Sequence, residues 1–291
     1  MSPASIARAR PLLGTRVDIR LSGMDGAAAN SAVDAAFSAI ADIHRLMSFH
    51  DSDSDVSRLN RDAFAAPVTV DARTFAVLRR AREISEASNG AFDICTARKL
   101  VAWGFLPAPE AAAPDPAATW RDIVLAAGNS VRFAKPLWID LGGIAKGYAV
   151  DTALEAMKLS PDVQCIINAG GDLRVSGPAP EQIALRVPLA AGDIPAIEII
   201  DGSLASSSGH EHARVREGQT VGPHVDGVSG ASTSTTRFVS VTAEDCCVAD
   251  ALTKVVMAAG AGAEAVLRRF GAVAYMYDAG VWTVLGEESE G

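Results

Sequence analysis

Short runs of β-branched and aromatic residues succeed one another along the second half of the chain, and their order limits the fold more than any other feature. Val131-Arg-Phe133, Leu137-Trp-Ile139, Gln164-Cys-Ile-Ile167 and Arg237-Phe-Val-Ser-Val241 each end near Gly, Asp or Asn. A last pair, Val273-Ala-Tyr-Met-Tyr277 and Trp282-Thr-Val-Leu285, closes the series, and all six read as strands. Near the start, Val17-Asp-Ile-Arg-Leu21 alternates with period two, the mark of a half-buried strand. Helical spacing joins Val33, Ala36, Phe37, Ile40, Ile43 and Met47 into one stripe. A second helix is expected from about Ala72 to Ser88, with Val77, Leu78, Ala81 and Ile84 inward and Asn89-Gly90 as its stop. Further helices are expected near 145–158, 248–259 and 262–270. Strands adjacent in sequence, with helices grouped, indicate an α+β fold instead of a doubly wound sheet.

The chain's 291 residues allow one large domain or two small ones. One domain over residues 10–286 is expected, with two interwoven subdomains joined near 106–118 as the alternative, since only Leu106 to Ala118 is linker-like. There are 26 Lys and Arg against 35 Asp and Glu, a net charge of −9. That balance excludes a surface built to coat nucleic acid, which needs clustered cations to release counterions. Cys95, Cys165, Cys246 and Cys247 form no zinc-binding spacing and read as small buried hydrophobes in a reducing compartment. The first residues lack an apolar leader and no window reaches 18 uninterrupted apolar residues, so a cytoplasmic chain without a membrane span is expected. A chain trimmed of its leader would read the same way.

Asp140-Leu-Gly-Gly-Ile-Ala-Lys-Gly-Tyr-Ala-Val-Asp151 reads as a strand end, two glycines and a helix start. Such a turn lets backbone amides and a helix N-terminus approach a phosphate or pyrophosphate. It is not a P-loop, because Gly147 and Tyr148 follow Lys146. A tight turn with a solvated lysine is the competing reading. Asn168-Ala-Gly-Gly-Asp172 is an ordinary turn first and a ligand loop second. Gly260-Ala-Gly-Ala-Glu-Ala265 imitates a dinucleotide fingerprint but follows a helical run, so it reads as a junction of two helices. Asp250 stands inside an apolar helix start and is either a hard-metal ligand or half of an i,i+4 ion pair with Lys254. The five histidines define no triad, and Ser206-Ser-Ser-Gly209 with His210 and His212 reads as a polar loop.

In this order the segments resemble the ApbE family, the FAD:protein FMN transferases. The resemblance runs through Leu13-Gly-Thr15, Met47-Ser48, Ser54 to Asn60, Gly90-Ala-Phe-Asp93 and Trp103-Gly-Phe105, then Asp140 to Asp151, Asn168 to Asp172, Leu204 to Gly209 and Ala249-Asp-Ala-Leu252. It implies mixed, largely antiparallel sheets with packed helices, and a magnesium-dependent transfer of FMN from FAD to a Ser or Thr hydroxyl with AMP leaving. The implied partners are FAD and an acceptor flavoprotein bearing a Ser/Thr flavinylation motif. Carried over by position, the metal set is the Gly143 carbonyl, Asp250 and Lys254. The flavin-binding set is His50, Ala91, Phe92, Asp93, Asp140, Lys146, Asn168, Gly170, Gly171, Asp172 and Ser229, and the catalytic pair is Asp250 and His224.

This sequence departs from the family at several of those positions. Lys254 stands where the family has a Thr or another oxygen ligand, and a protonated ammonium has no lone pair for a metal. Three readings follow: fewer protein ligands, Thr253 swinging in, or Lys254 replacing the ion. His50 replaces a tyrosine, Leu13 a methionine and Cys95 a threonine. The His-x-x-Asp-Pro-Arg-Thr-Gly block survives only as His224-Val-Asp-Gly-Val-Ser-Gly230, without its Arg. A flavin carrier or sensor without transfer activity is therefore the alternative function. Asp226 to Thr235 also resembles an acceptor sequence, with Ser232 at the modified position; a flexible Ser/Thr/Gly loop is the plainer reading.

Overall fold

A computed structural model describes residues 5–187 and 194–287. The period-two segment behaves as its pattern requires: Val17, Ile19 and Leu21 are buried while Arg16 and Arg20 are exposed. Its strand, β2 (Thr15–Ser22), pairs antiparallel with β1 (Ser5–Leu12) through a two-residue turn at Leu13-Gly14, with φ of 56° and 70°. Two positive φ values suit the hairpin turn whose twist matches the strands. β1 itself escapes a reading by pattern, because nearly all of it is exposed.

The remaining elements follow in chain order. α1 (Gly26–Met47), α2 (Asp55–Asp62), β3 (Val68–Thr69), α3 (Ala72–Ala87), α4 (Ala97–Ala102), β4 (Ile123–Ala126) and β5 (Ser130–Phe133) precede α5 (Ala145–Met157). Then come β6 (Gln164–Ala169), β7 (Asp172–Ser176), β8 (Glu181–Ala184), β9 (Ala196–Ile199), β10 (Gly202–Ser208), β11 (Arg214–Arg216), β12 (Gln219–Val221) and β13 (Phe238–Ala243). α6 (Cys246–Ala259), α7 (Glu264–Arg269), β14 (Val273–Asp278) and β15 (Val281–Leu285) complete the described chain.

Eight strands form one sheet in the order β1-β2-β6-β7-β10-β13-β14-β15, and every neighbouring pair is antiparallel. The expected α+β class with largely antiparallel sheets is what the structure has. α1 lies along α5, α5 along α6, and α6 against β10 and β13, so the core sits between helices and sheet. The stripe foreseen on α1 is buried from Val33 to Met47.

Two expectations need correction. Leu137-Trp-Ile139 belongs to no strand: the Asn60 carboxamide takes the place of a strand neighbour, accepting the Ile139 N–H at 2.7 Å and donating to its carbonyl at 3.0 Å. The helix expected from about Ala72 to Ser88 is not the second one, because α2 precedes it; the only apolar residues of α2 are Val56 and Leu59, and its N-cap is Ser54, accepting the Ser57 N–H at 3.0 Å. Gly260 to Ala263 is a 3-10 turn joining α6 to α7, as the helical junction required. All four cysteines are free and buried. The stretch Cys246–Arg269 does have the length and mean hydropathy (1.4) of a membrane-crossing segment, and 72% of its apolar window is buried within the protein. Packing in the core accounts for its composition.

α5 and α6 cross so closely that Gly147 cannot carry a side chain. A Cβ there would overlap the Cys246 carbonyl and lie 2.9 Å from Asp250 Cβ. Gly147→Ala is expected to cost about 1–3 kcal/mol or more from overpacking. Gly26→Ala, at a helix position with nothing within 4 Å, should be neutral or slightly stabilising. Urea unfolding of both variants checks the contrast, and equal stabilities would rule out the tight crossing.

Candidate functional site

α5 begins without a side-chain cap of its own, since Ile144 occupies the N-cap position. Asp250, fully buried on α6, supplies the missing acceptor: its Oδ2 takes the Gly147 N–H at 3.2 Å. Lys254, one turn on, bonds Asp250 Oδ1 and the Asp250 main-chain oxygen, the latter at 3.1 Å. The Lys146 ammonium lies 3.5 Å from Asp250 Oδ2 and donates to Asp172 Oδ2. Asp172 is also fully buried, and its Oδ1 has no partner among the described residues. Two ammonium groups and two carboxylates thus form one chain of charge.

Burial opposes the charge of Asp250, yet Lys146 and Lys254 hold it below the usual carboxylate range. Asp172 is pushed up, by burial first and by the charge of Asp250 second. Burial likewise works against the Lys146 ammonium, but Asp172 and Asp250 outweigh it and keep the lysine protonated.

Both lysines face a cavity of about 510 Å³, within the range of small-molecule sites. Phe92, Leu100, Phe105 and Leu106 give it an apolar wall, while Ser206 to Ser208 of β10 line another part. Arg214 stacks 4.0 Å from the Phe105 ring centre and donates to the Gly104 carbonyl at 2.7 Å, and Arg216 donates to the Trp103 carbonyl at 3.0 Å. The β11–β12 hairpin is thereby pinned to the Trp103-Gly-Phe105 segment at the cavity wall.

Of the residues nominated from sequence, Ala91, Phe92, Asp93, Asp140, Gly143, Lys146, Gly170, His224 and Lys254 line this cavity. Asp93 spends both oxygens on local chain, accepting the Cys95 N–H at 2.8 Å and the Trp120 N–H at 3.2 Å, and burial raises its pKa. Burial also raises Asp140, against the pull of the Gly142 and Leu141 amides and the charges of His50 and Lys146. The pKa of His224 is lowered to about 3, first by burial and then by Lys254 and Lys146.

Asp250 and Asp172 lie behind the lysines and do not line the cavity, so each positions an ammonium. Asn168 and Gly171 serve the β6–β7 turn, where Asn168 Oδ1 accepts the Gly171 N–H at 2.9 Å. Gly170 in the same turn has φ 68°, and a Cβ there would fall 2.5 Å from Thr15 Oγ1. His50 is exposed and lies outside the lining, as does Ser229, whose hydroxyl donates to Asp226 Oδ2. Ser232 is outside it too; its hydroxyl accepts the Gly222 N–H at 2.8 Å and donates to the Thr233 carbonyl at 3.2 Å.

Sequence reading placed Ser206 to Ser208 in a loop, whereas they end β10. Serine has little strand preference, and pairing with β13 overrides it. Arg214 was missed as well. The Glu217-Gly218 turn between Val215 and Val221, with φ of 49° and 79°, was the available hairpin signal.

The donor set does not suit a divalent metal. No group of three or more His, Cys, Asp or Glu that could hold an ion occurs among the described residues. Lys254 is an ion-pair partner of Asp250 and cannot act as a ligand beside it. Thr253 does not swing in: its hydroxyl donates to the Asp250 carbonyl at 2.7 Å and pairs with the Ser207 hydroxyl at 2.8 Å in the buried interior.

The sequence profile of the ApbE family matches residues 13–276. A FAD:protein FMN transferase from Treponema pallidum (strain Nichols) is 28% identical over 256 residues, which is 77% of this chain and 70% of that protein. Another from Vibrio cholerae serotype O1 is 25% identical over 268 residues, 86% of this chain and 80% of its own. Among solved structures, the ApbE protein of Thermotoga maritima superposes with a TM-score of 0.84 at 28% identity, covering 99% of this chain and 97% of the other. The flavin transferase ApbE of Vibrio cholerae gives 0.81 at 22% identity, with 99% and 98% covered, and this likeness shows the fold.

A histidine whose folded pKa lies near 3, below its unfolded value near 6.5, stabilises the fold only while the unfolded chain also leaves it neutral. That contribution is complete above about pH 6.5 and is lost as pH falls toward 3, by at most ~1.4 kcal/mol per pH unit. His224→Gln should therefore lose less stability than wild type between pH 7 and pH 5 in urea unfolding. Parallel curves would mean that His224 titrates normally.

Proposed function

Because the chain belongs to the ApbE family, we propose that it is an FAD:protein FMN transferase, moving the FMN half of FAD to a Ser or Thr hydroxyl of an acceptor protein and releasing AMP. The observation that carries this reading is the convergence of Lys146 and Lys254 on a cavity that Phe92, Leu100, Phe105 and Leu106 also line. Paired cations beside an apolar slot fit a pyrophosphate joined to an aromatic ring system. The relatives named FAD:protein FMN transferase in Treponema pallidum and Vibrio cholerae support the same chemistry.

In the reaction, the acceptor oxygen attacks the phosphorus on the flavin side, the bond from that phosphorus to the bridging oxygen breaks, and AMP leaves with the bonding pair. The lysines hold the pyrophosphate in place and offset charge that builds on its oxygens. His224, kept neutral, has an unprotonated ring nitrogen for the acceptor's proton. In the free protein burial first, and then the charges of Lys254 and Lys146, depress its basicity. A bound pyrophosphate offsets their charge and so raises the affinity of His224 for that proton when substrate is present. Asp250 and Asp172 act one step back, fixing where the ammonium groups stand.

Incubation of the full chain with FAD and an acceptor domain bearing a Ser/Thr flavinylation motif tests the reading. Intact-mass spectra should show one FMN added to the acceptor. Asp250→Asn should lower the transfer rate by about 100-fold, on the scale of losing one charge-stabilising group. An unmodified acceptor, in a mixture where another transferase modifies it, would overturn the reading.

A further inference from the structure

We infer that the Lys254 ammonium occupies the place of the divalent metal ion, so that this site binds the pyrophosphate of a flavin dinucleotide with a cation belonging to the chain. The inference rests on the transferase reading and deepens it. Its starting point is where Lys254 lies. A Cβ built on Gly143 would be 3.4 Å from Lys254 Cε and 3.5 Å from its Cγ, so the lysine stem runs against Gly143. The ammonium at its end bonds the Asp250 carboxylate and main-chain oxygen. Lys254 therefore packs against Gly143 and bonds Asp250, the two residues that the family resemblance assigns to the metal, and it is itself the third.

The neighbouring donors leave an ion no better alternative. Asp250 Oδ2 is engaged by the Gly147 amide at 3.2 Å and by Lys146 at 3.5 Å. Thr253 is turned toward Ser207 and the Asp250 carbonyl. A divalent ion added here would meet two ammonium groups at close range and would have to displace one of them. Without an ion the cluster is already balanced, with Asp172 and Asp250 against Lys146 and Lys254. An ammonium has three donors. Lys254 spends two on Asp250 and lines the cavity, which leaves one for a phosphate oxygen.

A tethered cation cannot be removed by a chelator, and this separates it from a metal. FAD binding to the purified full chain can be followed by quenching of flavin fluorescence, in EDTA and in millimolar magnesium chloride. Wild type should bind FAD with the same Kd in both buffers, within about two-fold. Lys254→Met, which keeps the stem and removes the charge, should weaken binding about 10- to 100-fold in both, the range for a hydrogen bond to a charged group. Lys254→Thr should be equally weak in EDTA and recover at least about tenfold in magnesium, and calorimetry with magnesium alone should show binding to this variant and none to wild type. A wild-type Kd that rises tenfold or more in EDTA would overturn the inference and leave the transferase reading standing. Unchanged FAD affinity in a folded Lys254→Met would do the same. Should the variants fail to fold, the wild-type comparison decides alone. Absence of FAD binding by wild type in both buffers would remove the transferase reading, and this inference with it.

Discussion

A single buried carboxylate ties the molecule together. Asp250 sits on α6 with no exposure to water, caps the first turn of α5 through Gly147, and anchors Lys254 and Lys146 at the cavity edge. A lone carboxylate in that place would be costly, and breaking a buried ion pair by deleting one partner typically costs ~3–5 kcal/mol. The same interaction serves the fold and the site: it joins two core helices and presents two ammonium groups at one cavity edge. The energetic demand of burying Asp250 is met by cations that remain available to a ligand.

The backbone makes that arrangement reachable. Gly147 lets α5 approach the start of α6, where Asp151 accepts the Cys246 and Cys247 amides at 3.0 and 2.8 Å. Gly170 lets the β6–β7 turn close on Thr15 and brings Asp172, the first residue of β7, under Lys146. Asn60 holds the unpaired segment that ends at Asp140, and the Asp140 N–H is anchored on the Ile94 carbonyl at 2.9 Å. Helix crossing, hairpin turn and side-chain bracket thus meet at one cavity.

Much of this was legible in the sequence where periodicity and burial coincide. The α1 stripe and β2 follow from spacing, because their buried residues are the apolar ones, and β14 and β15 follow from their β-branched and aromatic content. Segments held by other means were not legible. α2 has two apolar residues and depends on Ser54 for its start, and Leu137 to Ile139 belongs to no strand, with Asn60 bonding the N–H and carbonyl of Ile139. The serines of β10 carry no strand signal and are ordered by their neighbours. For the site, the order of Gly/Asp/Asn motifs led to Asp140, Lys146, Asp172 and Asp250. Both readings of Asp250, metal ligand and i,i+4 partner of Lys254, were compatible with spacing alone. Only the geometry around Gly143, Thr253 and Lys146 separates them, since it fixes which oxygen atoms are already engaged.

On the proposed reading, Lys146 and Lys254 together form the pyrophosphate subsite of a flavin dinucleotide pocket. A crystal structure of the chain grown with FAD in a chelator tests it most directly. Both ammonium groups should lie within hydrogen-bond distance of pyrophosphate oxygens, with the ring system against Phe92 and Phe105 and Lys254 still bonded to Asp250. A pyrophosphate placed elsewhere, or a Lys254 swung out of the site, would contradict it.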